Sequence, residues 1–196
     1  KSDKGCDVAV VVRRVSTGEV TAMAVSADYF ADKAGQVNTA LAPRSAGSTL
    51  KPFLAAFAID GGIVSPGEML LDIPRTYNGY VPSNFDAKWR GAVSLDDSLV
   101  LSLNMPFVRL LEKFGVDRFG ALLRTAGLNS IGYGDARSGL GMAIGNVTVT
   151  LEELTLAYAR LARAAGGSRG EPFSPESAYL VSEILSSPAR SMAALG

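Results

Sequence analysis

The sequence predicts an α+β fold: an N-terminal hairpin of an antiparallel sheet, then a mainly helical body. Three observations lead there. Apolar segments 8–12 and 19–25 flank the turn residues Ser16-Thr17-Gly18, which is the pattern of paired strands. From Ser48 onward, apolar segments of helical length recur between capping residues and glycine pairs. A chain of 196 residues at 47% hydrophobic can bury one core, so residues 1–196 are read as a single domain, with too few strands for a complete sheet.

The helices follow in order. Segment 48–60 is dense in Ala, Leu and Phe and ends at Gly61-Gly62, which predicts a buried helix with Ser48 at its N-terminal end. Residues 63–92 hold Pro66, Pro74 and Pro82 among glycines and aromatics, which suits an ordered loop or short strands. Ser94 with Asp97 resembles a capping box, and the helix it opens is interrupted at Ser102-Leu103-Asn104. Pro106 then suits the first turn of a helix reaching about Phe114. Another helix is expected over 116–126, stopped by Gly127, with a glycine-rich stretch over 132–145. Thr150 with Glu153 opens a helix to about Ala165, before Gly166-Gly167. Ser174-Pro175 supplies the N-cap and first residue of a last helix over 175–186. No internal repeat, linker or low-complexity segment stands out.

Composition removes several functions. Nineteen basic and nineteen acidic residues cancel, and no basic run is long enough to grip a polyphosphate, so nucleic acid is not an expected partner. The longest apolar stretch, 53–59, is far short of the roughly 18 residues that cross a bilayer. Lys1 and Lys4 precede no apolar signal-peptide region, so an export signal or membrane anchor is expected only outside this chain. Cys6 has no partner for an internal disulfide and is read as a buried, inert thiol. The absence of histidine excludes Ser-His-Asp triads, Cys-His pairs and His-based metal sites. Any hydrolase or transferase built on these residues must take its proton with Lys, Glu, Asp or Tyr.

Ser48-Thr49-Leu50-Lys51 sets a hydroxyl and an amine three residues apart at a helix start, about 5–6 Å apart at Cβ. A helix N-terminus favours a developing alkoxide and a neutral neighbouring amine, and the apolar run after Pro52 should desolvate Lys51 further. Ala46-Gly47 allows a tight approach to the serine. The alternative is an N-cap serine beside a solvated lysine. Ser102-Leu103-Asn104 presents two polar side chains between helices, its alternative being a plain turn with Asn104 as N-cap. Ser-x-x-Lys followed about fifty residues on by Ser-x-Asn, across a helical insertion, is a known two-part signature. The glycines of 139–145 do not follow G-x-G-x-x-G, so phosphate binding is not expected. Tyr80, Phe85 and Trp89 can line a groove, or else pin a Pro-rich loop to the core.

With Leu41-Ala42-Pro43-Arg44-Ser45-Ala46-Gly47-Ser48-Thr49-Leu50-Lys51-Pro52-Phe53 at its centre, the chain resembles the penicillin-binding proteins. The likeness is to the transpeptidase domain of class A members, above all the penicillin-binding protein 1C group. Gly18-Glu19-Val20 with Met23 and Ser26, Pro66-Gly67-Glu68-Met69-Leu70, Pro82-Ser83-Asn84-Phe85-Asp86 with Trp89 and Gly91, and Ser102-Leu103-Asn104-Met105-Pro106 extend it over nearly the whole chain.

The resemblance implies the fold shared by serine β-lactamases and penicillin-binding transpeptidases. It implies Ser48 as acyl acceptor, Lys51 as the base that activates it, Ser102 as a proton relay toward the leaving amine, and Asn104 as holder of the substrate amide. The backbone N–H of Ser48 would be one oxyanion donor, and Gly47, Asn104 and Trp89 would border the substrate. Peptidoglycan stem peptides and β-lactam antibiotics are the implied partners, with no metal or organic cofactor. The implied setting is the outer, periplasmic face of the bacterial cytoplasmic membrane. A serine β-lactamase and a non-catalytic penicillin-binding-like module remain as alternatives. The sequence departs from the family at the Lys-Thr-Gly or Lys-Ser-Gly strand motif, which is missing, since no lysine follows Lys113, and the glycosyltransferase domain expected upstream is not among these residues. C-terminal sheet strands are therefore expected to be missing, and the chain alone is expected to be inactive.

Overall fold

The computed structural model describes residues 8–25, 37–77 and 81–188. Cys6, Ser26 and Tyr80 lie outside them. The hairpin forms as expected: β1 (Val10–Arg13) pairs antiparallel with β2 (Val20–Ala24), with a bulge between Val12 and Arg13. Glycine is required at its turn, where Gly18 has φ +78°. Two further two-stranded pairs appear: β3 (Arg44–Ser45) with β6 (Thr148–Val149), and β4 (Met69–Asp72) with β5 (Gly91–Ser94). The β4–β5 pair gives the 63–92 segment its short strands. The β3–β6 pair is too short to carry a sequence period.

The core is built around α1 (Lys51–Asp60), whose residues 51 to 58 are all buried. A helix apolar on every side has to be surrounded. Here α2 (Leu95–Val100), α3 (Asn104–Phe114), α4 (Val116–Thr125) and α6 (Pro175–Ser186) pack around it. Aromatic rings tie these layers together. The Phe57 ring centroid lies 4.7 Å from that of Phe173 and 6.4 Å from that of Phe119, and Phe53 lies 4.8 Å from Tyr158. Such pairs add about 0.5–1.5 kcal/mol beyond their buried area.

Caps fix the helix starts where the sequence places them. The Ser94 hydroxyl accepts from Asp97 N–H at 2.9 Å, and Ser174 accepts from Ser177 N–H at 3.1 Å ahead of Pro175. Thr150 and Glu153 form a reciprocal capping box at the start of α5 (Leu151–Ala165). The hairpin docks onto α5 through an Arg13–Glu152 ion pair and an Arg163 hydrogen bond to the Val15 carbonyl at 3.0 Å. Val10, Val12, Val20 and Met23 of the hairpin remain exposed.

Two expectations are corrected. Phe85 does not pin its loop to the core; it stands fully exposed, and Asn84 beside it makes the anchoring contacts described below. Asn104 is not an N-cap, because the cap position falls to Leu103 and Asn104 is the first helical residue of α3.

Candidate active site

Strand β3 delivers the chain to the start of α1. Its end is held by two backbone bonds, Ala46 N–H to the Val147 carbonyl at 3.0 Å and Gly47 N–H to the Gly145 carbonyl at 3.3 Å. The Ser45 hydroxyl donates to the same Gly145 carbonyl at 2.9 Å. The backbone then turns at Gly47, with φ +55°, into a single 3₁₀ turn, Gly47–Leu50, that runs directly into α1. Ser48 is exposed at the head of this turn, and Tyr158 from α5 fixes it by donating to the Thr49 carbonyl at 2.9 Å.

The glycine-rich segment has its use here. Residues Tyr133–Ile144 form 3₁₀ turns that end at Gly145, which has φ +77°. A Cβ on Gly145 would lie 1.9 Å from the Gly47 carbonyl oxygen and 2.2 Å from its nitrogen. Only glycine permits that approach. The stretch that does not fit a phosphate loop instead buttresses the backbone leading into Ser48.

Lys51 is the first residue of α1 and is only 1% exposed. Its Nζ lies 2.6 Å from the Ser102 carbonyl, 3.2 Å from Ser102 Oγ and 2.7 Å from Asn104 Oδ1. It also sits over the Phe107 ring, 5.7 Å from the centroid. Burial pulls the Lys51 amine from its ordinary 10.5 down to about 7. Loss of water weakens the charged form, the usual response of a buried lysine.

Ser102 occupies the junction between α2 and α3 with φ +52°, a left-handed conformation uncommon for a side-chain-bearing residue. The buried Leu103 and backbone bonds from Ser102 N–H to the Leu99 carbonyl and Leu103 N–H to the Ser98 carbonyl hold it there. Strain of this kind persists only where the surroundings over-determine it.

Asn104 is gripped from the 81–90 loop: its Nδ2 donates to the Ser83 carbonyl at 2.7 Å, and its backbone N–H donates to Asn84 Oδ1 at 2.8 Å. Asn84 in turn donates to the buried carboxylate of Asp72. The sequence reading missed Asp72 and Gly145, and it used Asn84 only as part of a quoted stretch. Trp89 is half-buried in the same loop; among the described residues it makes none of the hydrogen bonds around Lys51 or Asn104.

The structure thus brings Lys51, Ser102 and Asn104 into one hydrogen-bonded group, with Ser48 one helical turn before Lys51. Among the described residues the Ser48 hydroxyl makes no hydrogen bond to that group, and no cluster of three or more His, Cys, Asp or Glu side chains is placed to hold a metal. Among the described residues, no helix is long and apolar enough to cross a membrane.

Comparison with known proteins gives this arrangement its context. Residues 8–194 match the penicillin binding protein transpeptidase domain. Penicillin-binding protein 1C of Escherichia coli is 39% identical over 143 residues, covering 72% of this chain and 19% of that protein. Penicillin-binding protein 1F of Bacillus subtilis is 30% identical, covering 88% of this chain and 23% of that protein. The chain therefore spans about a fifth of the length of these relatives. The structure of Mycobacterium tuberculosis PonA1 in complex with penicillin V superimposes with a TM-score of 0.68 at 26% identity, covering 81% of this chain and 43% of that one. The chain belongs to the penicillin-binding protein transpeptidase domain family.

Proposed function

We propose that this chain is part of a bacterial peptidoglycan D,D-transpeptidase domain, contributing the nucleophile Ser48 and its activating group. The observation that carries the reading is the buried Lys51 amine, hydrogen-bonded to Ser102 and Asn104 one turn after an exposed serine. With its pKa near 7, Lys51 is neutral in a large share of molecules at neutral pH, as a general base has to be. A neutral amine has two N–H donors and one lone pair. The Ser102 carbonyl and Asn104 Oδ1 match the two donors, at 2.6 and 2.7 Å, which leaves the lone pair for a hydroxyl.

The reaction follows from these roles. Lys51 takes the Ser48 proton as Oγ bonds to the penultimate D-Ala carbonyl carbon of a stem peptide. The oxyanion is stabilised by backbone N–H groups, Ser48's among them. As the C–N bond breaks, the proton passes from Lys51 through Ser102 to the departing nitrogen of the terminal D-Ala. An amine of a neighbouring stem then attacks the Ser48 ester, loses a proton to Lys51, and forms the cross-link while Ser48 Oγ is reprotonated. Asn104 orients the substrate amide, with Gly47 and Trp89 bordering it. Penicillins would acylate the same serine, on the periplasmic face of the cytoplasmic membrane.

The test uses the full-length protein and a fluorescent penicillin. The wild type is expected to take up one long-lived label per chain, and Ser48→Ala none. Equal labelling of the two would overturn the assignment, and rapid loss of the label by hydrolysis would point to a β-lactamase.

A further inference from the structure

Asp72, at the end of β4, is a wholly buried carboxylate with no ion-pair partner among the described residues. A carboxylate in that setting needs hydrogen bonds to offset its lost hydration. Asp72 receives them from one side chain and one backbone group. Asn84 Nδ2 donates to its two oxygens at 3.0 and 2.9 Å, and Arg90 N–H donates to Oδ2 at 3.1 Å. Asn84 Nδ2 also donates to the Lys88 carbonyl at 2.8 Å. With both amide hydrogens so used, the Asn84 carbonyl oxygen can point only one way: at Asn104 N–H, 2.8 Å away.

That contact meets a definite need. Helix α3 starts at Asn104 with Leu103 as its N-cap, a residue without a side-chain oxygen. The first N–H groups of a helix lack internal partners. Asn84 supplies the missing acceptor from a distant loop, and Asn104 Oδ1, at the same helix start, meets Lys51 Nζ at 2.7 Å. A continuous path therefore runs from Asp72 to the amine by hydrogen bonds through the side chains of Asn84 and Asn104.

We propose that Asp72 and Asn84 are positioning residues of the acyl-transfer site, holding Asn104 so that its side chain aims at Lys51 and the substrate amide. The proposal rests on the reading of Ser48, Lys51 and Asn104 given above. Asp72 fixes the flip of the Asn84 amide; Asn84 fixes the first residue of α3. Neither touches the reacting atoms. Misplacing a reactive group by about 1 Å can cost about 10²-fold in rate.

The experiment measures acylation of the full-length protein by penicillin V, separating the limiting rate constant from the half-saturating concentration, with melting temperature measured alongside. Wild type against Ser48→Ala tests the underlying reading first: if neither is acylated, that reading fails and this one with it. Given acylation at Ser48, Asp72→Asn sets an amide donor against the Asn84 donor. It is expected to lower the limiting rate about 10- to 100-fold, with half-saturation little changed. Should Asp72→Asn fail to fold, Asn84→Ala removes the same acceptor and carries the same expectation. A folded Asp72→Asn or Asn84→Ala that acylates at the wild-type rate, or whose loss lies in half-saturation and not in the limiting rate, overturns the proposal.

Discussion

Replacing Gly145 by alanine puts a methyl group where the backbone before Ser48 already lies. Two costs can be separated. At φ +77° a Cβ meets its own backbone in the left-handed region, which costs roughly 1–2 kcal/mol. The Cβ would also stand 1.9, 2.2 and 2.4 Å from the carbonyl oxygen, nitrogen and carbonyl carbon of Gly47, and no side-chain rotation relieves a clash with backbone. Forced shifts of this kind cost about 1–3 kcal/mol, which brings the expected loss to about 2–5 kcal/mol. The shift would also strain the hydrogen bonds that Gly47 N–H and Ser45 Oγ make to the Gly145 carbonyl. Gly62 is the internal control: its φ is +64°, and nothing lies within 4 Å of a Cβ built on it. Gly62→Ala should therefore cost only the backbone part, about 1–2 kcal/mol. Urea unfolding of both variants, followed by circular dichroism, gives the difference. Equal losses would refute the close approach of the glycine-rich segment to Gly47.

Three further outcomes follow from the same structure. Lys51 has a folded pKa of about 7 against an ordinary 10.5, so the unfolded chain binds more protons between those values and stability should rise with pH across that window. The gain should not exceed on the order of 5 kcal/mol, and wild type minus Lys51→Met unfolding free energy isolates it; parallel pH curves would contradict a lowered Lys51 pKa. Phe57→Ala removes a ring stacked 4.7 Å from Phe173 inside the core and should cost about 3–5 kcal/mol by denaturant unfolding; less than about 1 kcal/mol would mean the site is not packed as described. Thr150→Ala, which opens the reciprocal capping box of α5, should cost about 1 kcal/mol in the same assay, and no loss would show that the cap does not hold that helix start.

What was legible in the sequence was local. Thr150 with Glu153, Ser94 before Asp97, and Ser174-Pro175 mark helix starts through side chains that cap the backbone a few residues on, so spacing alone reveals them. The density of Ala, Leu and Phe after Ser48 likewise marked α1 as buried. Ser-x-x-Lys and Ser-x-Asn named Lys51, Ser102 and Asn104, which the fold joins by hydrogen bonds. What escaped depends on distant partners. Asn84 draws its role from Asp72 and Asn104, on two other segments, and no periodicity announces that. Gly145 matters because of Gly47, nearly a hundred positions earlier, and β3 and β6 pair over two residues each. Phe85 misled because aromatics in Pro-rich loops usually anchor them, whereas here a polar side chain next to it does so.

The central claim, that Ser48 is the acyl acceptor, is tested most directly by mapping the covalent adduct. Trypsin cuts after Arg44 and Arg75 but not at the Lys51-Pro52 bond, so residues 45–75 form one peptide carrying Ser48, while Ser102 falls in the peptide 91–109. The full-length protein is treated with penicillin V, digested and sequenced by tandem mass spectrometry. The expected result is a single penicilloyl group on Ser48 in the 45–75 peptide; an adduct on Ser102, on another residue of either peptide, or on neither would contradict the account.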